Sequence, residues 1–256
     1  MKSKLLLLLL IVCVSCCPKA KIENQASQVV VTAYPSSIGE AGVAVYLPAG
    51  YASSKVDYPV LYLLHGSGDD EAGWLTKGKA KAILDSLITN ELCPPMIVVM
   101  PNGYLEQTGK YIAPEARLWM ESTFEENFSQ LMAWTEAHYR TINDKQHRAI
   151  AGLSMGGRQS AALSRQYPTL FGYVGMFSGV VPPTEDDKEL AAVFAAKPKL
   201  YWIACGKTDG VMVNSLLLKE YCEQKGYPVS FYESEGGHIW RNWREYLTIF
   251  AQKIFK

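Results

Sequence analysis

The sequence predicts an α/β fold, with one mostly parallel central sheet flanked by helices on both faces. Three observations carry that reading. Val60-Leu61-Tyr62-Leu63-Leu64 and Met96-Ile97-Val98-Val99-Met100 are continuous apolar runs, as expected of strands covered on both sides. From Val29 onward, strand and helix signals alternate with no internal repeat and no low-complexity boundary. Finally, Gly152-Leu153-Ser154-Met155-Gly156-Gly157 stands between a strand-like run, Arg148 to Ala151, and a helix-like run, Arg158 to Gln166.

The chain opens on an address label. Lys2 and Lys4 form a positive n-region, and Leu5 to Val14 an apolar stretch too short for a comfortable membrane span. Val14-Ser15-Cys16-Cys17 resembles the lipobox of bacterial lipoproteins, in which the cysteine is lipidated and becomes the mature N-terminus. Cys16 fits better, because Ser15 would then precede the cut; Cys17 stays open. Cys13 stands where Leu or Val is usual, and an ordinary secretory signal is the alternative. Residues 1–16 are thus read as a lipoprotein-type signal, 17–28 as a polar tether and 29–256 as a single domain.

Val29 to Thr32 and Gly42 to Pro48 read as two early strands with an antiparallel start. The run 60–64 ends in His65-Gly66, a helix spans Lys79 to Thr89, and the run 96–100 closes on Pro101-Asn102-Gly103. Residues 102–123 show no regular period and read as a long irregular loop, a place where function concentrates. Phe124 to Tyr139 has a strong helical pattern. After the central Gly-Ser-Gly turn come a strand from Gly172 to Gly179, a short helix from Glu189 to Ala195 and a strand from Leu200 to Cys205. A helix from Val213 to Lys225, a last strand from Val229 to Tyr232 and a closing helix from Trp240 to Phe255 complete the pattern.

At 256 residues, 48% hydrophobic and 20% charged, the chain can build one large core. Lys plus Arg equals Asp plus Glu at 25 each, so the charge balance points to neither a nucleic-acid partner nor a basic membrane-binding face. Fifteen Tyr and six Trp suit a site that grips a ring or a sugar. Outside the leader only Cys93, Cys205 and Cys222 remain. Their spacing forms no C-x-x-C pair, which argues against a zinc site or a disulfide framework and for buried free thiols, with one disulfide among them left open.

A G-x-S-x-G run between strand and helix is the nucleophile-elbow pattern, in which the turn leaves little room for side chains beside the serine. The pattern is short, and alone it fits an incidental serine in a glycine turn as well. It gains weight if an acid and then a histidine follow on later loops. Of the four histidines, His65, His138 and His147 precede Ser154; only His238, in Gly236-Gly237-His238 after the last strand, follows it. Asp209, on the loop after the preceding strand, is the favoured acid, with Glu233, Glu235, Asp186 and Asp187 as rivals. The oxyanion hole would use the N–H of Met155 and that of Ser67, between Gly66 and Gly68.

Leu61-Tyr62-Leu63-Leu64-His65-Gly66-Ser67-Gly68-Asp69-Asp70 with Trp74 resembles the opening strand and oxyanion loop of the esterase D-like α/β-hydrolases. So do Pro101-Asn102-Gly103, the stretch His147 to Gly157, Phe177-Ser178-Gly179 and the stretch Gly236 to Arg244. That family includes carbohydrate esterases that remove ferulate or acetate from xylan, S-formylglutathione hydrolases, siderophore esterases and mycolyltransferases. Ser67 departs from the pattern, since an apolar residue is common there.

The resemblance implies an α/β-hydrolase fold and two-step acyl transfer by Ser154, His238 and Asp209, with no metal or organic cofactor. An export signal argues against the cytosolic S-formylglutathione role. The expected substrate is therefore a feruloyl ester of xylan or a xylo-oligosaccharide, met in the periplasm or on the outer membrane. An apolar slot for the acyl group could be lined by Trp74, Tyr104, Trp119, Met120, Met155 and Trp240, while Asp69 shapes the oxyanion loop without acting in catalysis. Other readings are an acetyl-xylan or siderophore esterase, transfer to an acceptor other than water, and a non-catalytic glycan-binding relative.

Overall fold

The computed structural model describes residues 26–37, 39–104 and 114–256, the last range without the side chains of 114–123. The leader, Cys16, Cys17 and nearly all of the tether lie outside the described residues. An eight-stranded sheet forms the centre: β1 (Gln28–Ser36), β2 (Gly39–Leu47), β3 (Val60–Leu64), β4 (Ile97–Pro101), β5 (Arg148–Leu153), β6 (Tyr173–Phe177), β7 (Leu200–Gly206) and β8 (Ser230–Ser234). Their order is β1-β2-β4-β3-β5-β6-β7-β8, with only β2 running against the others. This is the mostly parallel sheet that the alternating pattern predicts, and it fits the α/β-hydrolase fold that the resemblance implies.

The apolar runs are continuous because the sheet is covered twice. Along β3, Val60, Tyr62 and Leu64 enter one core, while Leu61 and Leu63 enter the other. The first core is closed by α3 (Pro114–His138), α4 (Met155–Gln166), α5 (Lys188–Ala195) and α6 (Met212–Gln224), through residues such as Phe128, Ala161, Leu190 and Leu218. The second is closed by α1 (Gly73–Thr76), α2 (Ala80–Thr89) and α7 (Trp240–Ala251), through Trp74, Leu84, Trp243 and Phe250. Each fully buried Leu or Phe contributes about 1.5–3 kcal/mol of hydrophobic stabilisation.

Two expectations need correction. The irregular stretch expected over 102–123 ends early, because α3 starts at Pro114 and not at Phe124. Proline suits a first helical position, since its missing N–H has no intrahelical partner there. The helix after the elbow starts at Met155, directly behind Ser154, and not at Arg158. Cys93, Cys205 and Cys222 are buried free thiols, and burial pushes the Cys205 thiol up to about 11. Among the described residues no helix is long and apolar enough to cross a membrane.

Parallel strands bring their carboxyl ends to one edge, and every candidate site residue follows such an end. His65 follows β3, Asn102 follows β4, Ser154 follows β5, Asp209 follows β7 and His238 follows β8. Because β3 and β5 are neighbours, with Leu64 opposite Gly152, the Ser67 loop sits beside Ser154.

Candidate active site

Ser154 occupies the sharp turn between β5 and α4 with φ 53 and ψ −112, a conformation a non-glycine residue adopts only when its surroundings impose it. Its N–H donates to the Phe177 carbonyl at 2.8 Å, and its carbonyl accepts from the Arg158 N–H at 3.1 Å. The flanking glycines have a steric reason. A Cβ on Gly156 would lie 2.5 Å from the His65 carbonyl oxygen and 2.6 Å from that of Leu64, while one on Gly152 would overlap the Gly156 carbonyl. Helix α4 can therefore begin against the end of β3 only with no side chain at these positions.

The loops after β7 and β8 are stitched together and bring two further groups to the serine. The Thr208 N–H donates to the Gly236 carbonyl at 3.0 Å, and the Lys207 N–H to that of Ser234 at 2.9 Å. His238 Nδ1 lies 3.1 and 3.0 Å from the two Asp209 carboxylate oxygens, and its Nε2 lies 2.8 Å from Ser154 Oγ. The Asp209 side chain is fully buried, and one of its oxygens also accepts the Val211 N–H at 3.0 Å. A buried carboxylate on Nδ1 holds the proton there and leaves Nε2 as the acceptor facing Ser154. Trp243 meets the imidazole edge-on at 4.9 Å.

Of the candidate carboxylates, Asp209 is the one that bonds His238 among the described residues. Glu233 and Glu235 are turned toward Lys207, with Glu235 at 2.5 Å from the ammonium. Asp187 caps α5, accepting the Leu190 N–H at 2.8 Å, and pairs with Arg165 in the core. Asp186 is exposed.

Ser154 lies where two depressions meet. One, of about 380 Å³, is lined by Gly66, Ser67, Lys77, His238, Ile239 and Trp240. The other, of about 250 Å³, is lined by Ser67, Met155, Arg158, Val180, Val211 and Asn214. Ser67 and Ser154 border both. Met155 opens α4, so its N–H has no carbonyl one turn back to bond, and among the described residues none bonds the Ser67 N–H. Asp69 pairs with Lys77 at the rim, and that pairing raises the lysine pKa.

The aromatic expectations divide. Trp240 is at the cleft, held edge-on by Trp74 and Trp243 at 5.4 and 5.2 Å. Trp74 is not a lining residue: it is fully buried, its indole N–H donating to the Leu64 carbonyl at 2.9 Å and its ring packing on Phe177. Tyr104 is also buried, behind the Ser67 loop, and accepts the Gly68 N–H at 3.0 Å. The side chains of Trp119 and Met120 lie outside the described residues.

His65, Val211 and Asn214 are among the residues not anticipated in their observed positions. His65, expected only as a strand-end turn residue, is buried and bridges two loops. Its Nδ1–H donates to the Gly66 carbonyl and its Nε2 accepts the Gly103 N–H, each at 2.9 Å, while burial lowers its pKa. Val211 and Asn214 reach the smaller depression from the start of α6, a placement that no local sequence signal marks. Among the described residues no group of three His, Cys, Asp or Glu side chains is placed to hold a metal ion.

A family model described as "Putative esterase" matches residues 36–253. The chain is 35% identical over 238 residues to an endo-1,4-beta-xylanase/feruloyl esterase of Xylanibacter ruminicola, a match covering 88% of this chain. It spans about a third, 31%, of that relative's length. In structure it is similar to a ferulic acid esterase at 27% identity and a TM-score of 0.76, covering 90% of this chain and 100% of the other. A ferulic acid esterase of Anaeromyces mucronatus, solved in complex with ferulic acid, shares the fold at 23% identity and a TM-score of 0.76, with 93% of each chain covered. With most of its length matched by the family model, the chain belongs to this esterase family.

Proposed function

We propose that the protein is a serine carboxylic-ester hydrolase acting on feruloyl or related hydroxycinnamoyl esters of xylan. The observation that carries the chemistry is His238, placed between Ser154 Oγ at 2.8 Å and the Asp209 carboxylate at 3.0 Å. In this reading His238 takes the Ser154 proton as Oγ attacks the ester carbonyl, and Asp209 stabilises the imidazolium that forms. The Ser67 and Met155 N–H groups hold the tetrahedral oxyanion; one such donor is worth about 3 kcal/mol in the transition state. His238 then protonates the departing alcohol, and water repeats the sequence to free the acid.

The two depressions acquire roles from the proton's path. His238 must reach the leaving oxygen, so the alcohol, a sugar, occupies the larger one with Trp240, and the acyl group occupies the smaller one beside Met155, Val180 and Val211. Support for a feruloyl group comes from the named activity of the Xylanibacter ruminicola relative. The leader supports export and anchoring through Cys16.

The deciding experiment compares methyl ferulate, acetylated xylan and a siderophore ester under one set of conditions, with wild type and Ser154→Ala. The expected result is the highest kcat/KM on methyl ferulate and its loss in Ser154→Ala. Comparable low rates on all three substrates would overturn the feruloyl assignment. Hydrolysis that survives the substitution would overturn the nucleophile.

A further inference from the structure

We infer that the turn closing β4, Asn102-Gly103-Tyr104, braces both halves of the oxyanion hole, with Tyr104 as its positioning residue. The inference rests on the assignment above of Ser154 as nucleophile and of the Ser67 and Met155 N–H groups as donors.

A donor must be immobile before charge develops, because reorganisation at the moment of reaction cancels its benefit. The Ser67 N–H has to stay free for substrate, and Ser67 lies between two glycines, so its own backbone cannot hold it. The hold comes from its two neighbours. The Gly66 carbonyl accepts from His65 Nδ1–H at 2.9 Å and from the Asp69 N–H at 3.2 Å. The Gly68 N–H donates to the Tyr104 hydroxyl at 3.0 Å. Gly68 itself has φ 80, and among the described residues the Tyr104 hydroxyl is the partner of its N–H.

Both anchors trace back to the β4 turn. His65 Nε2 accepts the Gly103 N–H at 2.9 Å, and the Tyr104 N–H donates to Asn102 Oδ1 at 3.0 Å. The two rings contact each other at 5.6 Å. The same turn grips the second donor. The Gly103 carbonyl accepts from Gln159 Nε2 at 3.0 Å, one turn along α4 from Met155. A Cβ on Gly103 would lie 3.4 Å from Met155 Cε, and Met155 packs with Tyr104 in a small buried cluster of its own. One three-residue turn therefore fixes the spacing between two donors that belong to different strand ends.

The test is Tyr104→Phe, which keeps the ring and removes the acceptor. With methyl ferulate, kcat is expected to fall about 10- to 50-fold, less than for outright loss of a donor, while KM stays within about twofold. Affinity for an aryl boronic acid, which forms a tetrahedral adduct on the serine, should drop by a similar factor, with affinity for ferulate unchanged. Gln159→Leu, which frees the same turn from α4, should give the same split and serves if Tyr104→Phe folds poorly. Wild-type kcat in a folded variant overturns the brace. So does a raised KM with kcat intact, or equal weakening of boronate and ferulate, since either makes Tyr104 a substrate contact. Stoichiometric labelling by a fluorophosphonate separates the two levels: modification at a residue other than Ser154 overturns the nucleophile assignment itself.

Discussion

The backbone of Gly179 lies directly against the carbonyl of Ser154. A Cβ at position 179 would overlap that oxygen, and one on Gly157 would lie 2.6 Å from the Gly179 carbonyl. The strand end after β6 is thus the floor on which the elbow rests, and Ser178 accepts φ 52 to deliver it. Gly179→Ala is expected to destabilise the fold by about 1–3 kcal/mol, the usual cost of overpacking. It should also lower kcat by more than the unfolded fraction explains, because relief of the overlap moves Ser154. Urea unfolding and a ferulate-release assay on the same preparation measure both.

Asp209→Asn should lower kcat by about 10³- to 10⁴-fold while the fold survives, since Asn can still accept the Val211 N–H. The loss arises because a neutral amide neither holds the proton on His238 Nδ1 nor stabilises the imidazolium. Steady-state kinetics on methyl ferulate with circular dichroism as the folding control is the measurement. A loss smaller than tenfold would move the acid to another carboxylate, with Glu233 and Glu235, close to His238 in the chain, the first to test.

Which side chains come together at the strand edge was legible in the sequence, because position there follows from strand order. Ser154 and Asp209 each follow a largely apolar, buried run, His238 follows the half-exposed edge strand β8, and the parallel pairing of these strands puts their carboxyl ends on one edge. Whether a loop aromatic points outward or inward was not legible. Trp74, Tyr104 and Trp240 sit on similar loops in the sequence. Yet Trp74 finds the Leu64 carbonyl, Tyr104 finds the Gly68 N–H, and only Trp240 stays at the cleft. Those partners are distant in sequence, so no local period encodes them. The early start of α3 did carry a signal, Pro114 at a first helical position, but no clean apolar period accompanied it.

Asp187 illustrates a carboxylate with a structural task. Its side chain and that of Arg165 are 4% and 6% exposed and lie 3.2 Å apart, and it also caps α5 through Leu190. Removing one partner of a buried pair leaves the other charge uncompensated, which costs about 3–5 kcal/mol. Asp187→Ala should therefore lower the thermal midpoint by many degrees. At temperatures where the variant is folded, kcat should stay within about twofold, because nothing in the His238 environment changes. A kcat loss like that of Asp209→Asn would return Asp187 to the candidates for the acid.

His65 makes stability depend on pH in a direction that can be worked out. Burial holds its folded pKa below the ordinary 6.5, although Asp69, Asp70 and Glu71 at longer range and the Gly66 carbonyl pull the other way. Facing the ring are the Gly66 carbonyl, the Gly103 N–H and the Tyr104 ring, and among the described residues no carboxylate bonds either nitrogen. Below about pH 6.5 the unfolded chain therefore binds a proton that the folded chain refuses, so acidification favours unfolding. The loss runs from about pH 6.5 down to the folded pKa, at up to about 1.4 kcal/mol per pH unit. In His65→Gln, which does not titrate, the fold should be about 1–2 kcal/mol weaker at pH 7 from the lost bridge. The gap to wild type should then narrow as the pH falls toward 5, because only wild type loses the His65 contribution. Urea unfolding of both proteins between pH 5 and 8 reads the difference directly. A gap constant across that range would mean that His65 takes its proton as readily in the fold as outside it.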